Sequence, residues 1–130
     1  LRREWDASRR LILKRRGESR DLRRIARGKS KLLVLHLAGH EPSIRHIEAL
    51  GEVKGVTIIP IQLRGLDGNA PDRGVWTIDA AEAKALFGVG DPLVQLPLSV
   101  LLDASGGTRL WLPGMRLDLA GHLRSLDTPQ

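Results

Sequence analysis

An apolar run, Leu32-Leu33-Val34-Leu35, leads into His36-Leu37-Ala38-Gly39-His40-Glu41-Pro42-Ser43, and a helical pattern follows. This stretch constrains the fold more than any other. A near-continuous apolar run from Lys31 to Leu37 suits a strand covered on both faces, as in a parallel sheet. Gly39 and Pro42 mark a short loop, and Pro42 fits a first helical turn, where its missing N–H costs nothing. Ile44, Ile47, Leu50 and Val53 recur at intervals of three, so a helix with one apolar face is expected from Pro42 to about Val53. The β-branched run Val56 to Leu63 is the clearest strand in the sequence. Pro60 inside it argues for an edge or a bulge, because proline cannot donate to a ladder.

The flanks extend this strand–helix–strand unit. Arg10 to Lys14 reads as a strand, followed by a turn at Arg15-Arg16-Gly17-Glu18. Ser19 is the expected N-cap of a short helix carrying Leu22 and Ile25 on one face and stopping at Gly28. Residues 64–74 are a loop by composition, and Val75 to Ile78 a short extended segment. Asp79 or Thr77 caps an Ala-rich helix over Ala80–Phe87. Two apolar runs then flank Asp103-Ala104-Ser105-Gly106-Gly107, a hairpin by its turn residues. Leu117, Leu119, Leu123 and Leu126 place a closing helix over 116–126. The expected organisation is a basic arm over 1–9, one domain over 10–126 and a tail over 127–130. The fold class is α/β: a central mixed β-sheet flanked by helices, with an N-terminal hairpin and helix extension.

Composition limits the chemistry. The chain has 130 residues and no cysteine, which excludes disulfides, zinc–thiolate sites and thiol catalysis. Aromatics are 3% of the chain, so the core is built from Leu, Val, Ile and Ala. No apolar run approaches the ~20 residues that span a bilayer. The first 31 residues hold 13 Lys or Arg against 4 Asp or Glu, and the remainder 8 against 11. The basic character is therefore an N-terminal property, with Arg15, Arg16, Arg20, Arg23, Arg24 and Arg27 as its patch. A solvated face is the plain explanation. A basic segment beside a membrane is a second, since a chain opening on Leu1 is expected to follow a further N-terminal segment that would carry an anchor. Nucleic acid is a third, but no interleaved aromatics accompany the charge.

The layout around His40 resembles the TlpA-type, redoxin-like branch of the thioredoxin superfamily, whose motif reads roughly Phe-Trp-Ala-Thr-Trp-Cys-Pro-Pro-Cys-Arg. On that motif the two cysteines fall on His40 and Ser43, and its second proline on Pro42. A second landmark agrees. Where the family shows Val-Pro-Thr-Thr-Phe-Leu-Ile-Asp-x-x-Gly, this chain has Pro97 at the proline that is cis in the family, then Val100, Leu101, Leu102, Asp103 and Gly106 in step. Gly28-Lys29 matches the family's Gly-Lys before the first core strand. The resemblance implies a thioredoxin-like fold over Arg10–Leu126 with His40-Glu41-Pro42-Ser43 in place of the redox motif.

Thiol–disulfide exchange needs a sulfur nucleophile, so the resemblance implies a redox-inactive module without a cofactor, not an oxidoreductase. It implies a groove for a protein or peptide partner at Leu96, Pro97 and Trp76, used for binding, chaperone-like action or assembly. It also implies an extracytoplasmic location, periplasmic or membrane-tethered. A metal site or metallochaperone role built on His36, His40 and His46, with Glu41 nearby, is the enzyme-class alternative, although their spacing spreads them over a strand and two helix faces. A Ser43–His40–Glu41 hydrolase would need three residues within four positions to line up; helix capping explains them more simply.

Overall fold

The computed structural model describes residues 11–25, 28–37, 40–51, 53–64, 75–88 and 95–126. The expected arm over 1–9, the tail over 127–130, most of the 64–74 loop and Arg27 lie outside the described residues. The strands are β1 (Ile12–Arg15), β2 (Glu18–Asp21), β3 (Ser30–His36), β4 (Val56–Arg64), β5 (Trp76–Asp79), β6 (Leu98–Leu102) and β7 (Thr108–Pro113). The helices are α1 (Glu41–Leu50), α2 (Ala80–Phe87) and α3 (Leu119–Leu126). The strands form one mixed sheet in the order β2-β1-β5-β4-β3-β6-β7. β3, β4 and β5 run parallel, and the hairpins β1–β2 and β6–β7 join antiparallel at either side.

Alternation along the strands divides the core into two layers. Leu33, Leu35, Ile59, Ile61, Ile78, Leu98 and Val100 pack on one face, against Ala83 and Phe87 of α2. Leu32, Val34 and Leu101 pack on the other, against Leu50 of α1 and Leu119, Ala120 and Leu123 of α3. β3, at 0–1% exposure from Leu32 to Leu35, sits between both layers, which accounts for its unbroken apolar run.

Three local expectations change. Ser19 caps nothing: β2 runs on to Asp21, whose carboxylate accepts from the Arg23 N–H and caps a single 3-10 turn, Leu22–Arg24. The hairpin's register to β1 carries the chain past Ser19 as strand. Pro60 lies in an interior strand, paired with Val34. β5 joins β4 only from Ile61 onward, so one side of Pro60 has no ladder to break among the described residues. α1 keeps Ile47 and Leu50 of the expected face inward, with Val53 beyond its end, but it also buries Ser43 and His46 and leaves Ile44 40% exposed.

The β6–β7 turn is held by Asp103. Its Oδ1 accepts from the backbone N–H groups of Ser105 and Gly107 and from the Ser105 hydroxyl. A Cβ at Gly107 would meet Asp103 Oδ2 at 2.9 Å, so this position needs glycine for space. Gly107→Ala is expected to lower the thermal midpoint, read by circular dichroism, while Ala104→Ser at the exposed turn leaves it unchanged.

Candidate functional site

Three segments meet at the carboxyl end of β3. The first is the start of α1, where His40 is the N-cap and Pro42 lies in the first turn. The second is Gln95-Leu96-Pro97, entering β6, with a cis Leu96–Pro97 peptide bond. The third is the connection from β7 to α3. Gly114 donates its N–H to the carbonyls of Gln95 and Pro97, at 3.1 and 2.9 Å, and so fixes the third segment to the second.

His46 fixes the third segment to α1. It is fully buried. Its Nδ1 accepts the Arg116 backbone N–H at 2.8 Å, and its Nε2 lies 2.7 Å from the Ser99 hydroxyl. An Nδ1 that accepts leaves the proton on Nε2, so Nε2–H donates to Ser99 and the ring is neutral. Burial, aided by the Arg116 charge, holds its pKa below the ordinary 6.5. Helix α1, strand β6 and the 114–117 connection thus share one side chain.

His40 and Ser43 come together: His40 Nδ1 lies 2.7 Å from Ser43 Oγ. That distance is within reach for a base and a nucleophile. Ser43 is nevertheless fully buried, so its hydroxyl offers no approach to a substrate. Glu41 pairs with Arg45 at 3.0 Å on the exposed side of the helix instead of orienting His40. The pair closes the first turn of α1; it is not two-thirds of a triad.

The histidines do not converge. His46 spends both ring nitrogens on Ser99 and Arg116, and His40 spends Nδ1 on Ser43. His36 ends β3, and its Nε2 is buried without a hydrogen-bond partner among the described residues. Among those residues no group of three or more His, Cys, Asp or Glu side chains is placed to hold a metal.

Trp76 lies elsewhere. Its ring, 7% exposed, belongs to the α2-side core. The Arg15 guanidinium stands 4.1 Å and that of Arg20 5.7 Å from its centroid, a cation–π clamp. Leu96 is partly buried against the same layer and Pro97 is buried. Of the basic patch, Arg20 pairs with Glu18 and Arg23 with Asp21, so part of its charge is engaged within the hairpin.

Sequence reasoning missed two features. One is the His46 link, whose signal was its place three residues after Ser43 and four before Leu50. The other is the exposure of Ile44, Met115 and Leu117, at 40, 42 and 58%, the large apolar side chains left open among the described residues.

Burial gives the two inner histidines a common pH signature. His36 and His46 both sit below 6.5, chiefly through desolvation. The unfolded chain protonates each near 6.5 and the native chain only at lower pH. Stability is therefore full above that value and falls as pH falls below it, by up to ~1.4 kcal/mol per pH unit for each histidine. Denaturant midpoints at about pH 7.5 and about pH 5.5 check this, the acidic one being the lower.

No protein-family model matches the chain, and no curated protein sequence matches it. Solved structures do. A thiol:disulfide interchange protein from Chlorobium tepidum superposes with a TM-score of 0.67 at 18% identity, covering 95% of this chain and 94% of that one. The pneumococcal exposed lipoprotein thioredoxin of Streptococcus pneumoniae gives 0.65 at 14% identity, covering 91% and 99%. A secreted disulfide oxidoreductase of Mycobacterium tuberculosis gives 0.60 at 16%, covering 88% and 95%. With its seven-stranded mixed sheet, its helix starting at the end of β3 and this set of neighbours, the cysteine-free chain has the thioredoxin-like fold.

Proposed function

We propose that this chain is a redox-inert, TlpA-like thioredoxin-fold module that docks an extended segment of another protein, in a chaperone-like or assembly role. The dock is the surface made by the start of α1, the Leu96–Pro97 turn and residues 114–117. The observation that carries this reading is the exposure of Ile44, Met115 and Leu117 on segments that hydrogen bonds tie to one another. Apolar side chains gathered into one patch favour a partner that covers them. The lack of cysteine removes exchange chemistry from the same place. An extracytoplasmic location accords with the similar structures described as an exposed lipoprotein and a secreted enzyme.

The test is a surface variant, Ile44→Glu with Leu117→Glu. Both positions are exposed, so stability is expected to stay within about 0.5 kcal/mol of the parent. Binding to peptides selected from a phage-displayed library is expected to weaken at least about tenfold, the scale of losing interface anchors worth more than 1.4 kcal/mol. Unchanged peptide affinity would refute the dock.

A further inference from the structure

The carboxyl ends of β3 and β4 hold three polar side chains on the face that α1 and α3 cover. Parity puts them there: His36 continues Leu32 and Val34, and Gln62 and Arg64 continue Ile58, all on the α1–α3 layer. His36 and Gln62 are register partners in the parallel pair, so their side chains are direct neighbours about 5 Å apart at the backbone. Arg64 follows Gln62 by one repeat on the same face. In open parallel sheets this end of the strands is where ligands bind.

These groups are poorly served by their own chain. Gln62 is only 7% exposed. Its Nε2, the Nε of Arg64 and the Nε2 of His36 are all buried and lack a hydrogen-bond partner among the described residues. Burying a donor without a bond forfeits its hydration outright; Gln62 Nε2 and Arg64 Nε, one repeat apart on one face of β4, both lack an acceptor among the described residues. Arg64 also lies 3.9 Å, through its terminal nitrogen, from Asp79 Oδ2. His36 Nε2 is a third donor when it carries the ring proton and a lone pair when it does not.

We propose that Gln62, Arg64 and His36 form a carboxylate-binding site, in which Gln62 Nε2 and Arg64 Nε donate to the two oxygens and His36 Nε2, when it carries a proton, adds a third donor. A carboxylate matches two fixed donors and one switchable group; a cation would meet no anionic ligand among the three. Two sources share this chemistry. One is a small free carboxylate. The other is an acidic side chain of a docked peptide, because β3 pairs with β6 at Leu35 and Leu98, so the next step along both strands sets His36 beside Pro97. The peptide source rests on the docking reading; the free carboxylate does not.

The experiment is a titration of the isotope-labelled full chain followed by NMR. Sodium acetate is one probe, and a capped Gly-Gly-Glu-Gly-Gly peptide the other. Sodium chloride and the Gly-Gly-Gln-Gly-Gly peptide are the controls. The Gln62 side-chain amide and the Arg64 Nε–H are expected to shift along one saturable curve with a carboxylate probe and not with its control, and Gln62→Met to weaken that binding at least tenfold. Saturation with acetate alone assigns the site to a free carboxylate, even if the surface variants abolish docking or leave it unchanged. Saturation with the Glu peptide, lost in Ile44→Glu with Leu117→Glu, assigns it to a docked peptide. Signals that ignore both probes, or that follow chloride and the Gln peptide equally, overturn the proposal on the parent chain itself, whether or not Gln62→Met folds.

Discussion

His46→Ala is expected to destabilise the fold by about 4 kcal/mol. The substitution removes a fully buried ring and leaves the Arg116 N–H and the Ser99 hydroxyl without their acceptor and donor. The orphaned Ser99 hydroxyl, which is buried, costs about 1–3 kcal/mol, the part-buried Arg116 N–H less, and the cavity adds to them. A domain of this kind has about 5–15 kcal/mol to lose, so the variant stands near the threshold of folding. His46→Gln, which restores a donor toward Ser99 but not the acceptor for Arg116, is expected to recover about 1 kcal/mol of the loss. Denaturant unfolding of the three proteins checks this. A loss below about 1 kcal/mol for His46→Ala would mean that α1, β6 and the 114–117 connection are not joined through this side chain.

Phe87→Ala is expected to cost about 3–5 kcal/mol. Phe87 is the single phenylalanine of the chain, is 1% exposed, and fastens the end of α2 to the sheet. Its ring lies 5.9 Å from that of Trp111, a contact that an aliphatic replacement loses beyond the area it buries. The only other fully buried position of α2 is the small Ala83, with Leu86 partly buried against the same layer. Phe87→Leu keeps most of the volume and is expected to cost about 1–1.5 kcal/mol. Equal losses for the two variants would show that α2 does not depend on the ring.

Where local chemistry decides, the sequence was readable. The Ala-rich run between Asp79 and Gly88 marked α2 at the bounds it occupies, because propensity and a left-handed glycine cap agree there. The β6–β7 turn was readable for the same reason: Asp103, Ser105, Gly106 and Gly107 make their bonds within five residues. The face of α1 was readable only in part. Periodicity favoured Ile44, Ile47, Leu50 and Val53, of which the last three pack into the core, but the helix also buries Ser43 and His46 and leaves Ile44 to water. The bonds that make His46 a core residue come from Ser99 and Arg116, 53 and 70 positions away, and no local pattern reports them. Pro60 misled for a related reason. Its meaning depends on where β5 begins to pair, which the register sets and the residue does not. The candidate site was legible as a place, through His40, Pro42, Ser43 and Pro97. Its chemistry was legible only by subtraction, since a chain without cysteine excludes exchange but names no partner.

The most direct test of the docking account is a map of where peptide lands. Backbone amide shifts of the labelled chain should be followed while a peptide selected from a phage-displayed library is added. The account predicts that the perturbed amides cluster at His40–Ile44, Gln95–Leu98 and Gly114–Leu117, with little change in the β1–β2 hairpin. Perturbation centred on Arg15, Arg20 and Trp76, with the His40–Pro97 surface silent, would contradict it and move the binding function to the basic edge of the sheet.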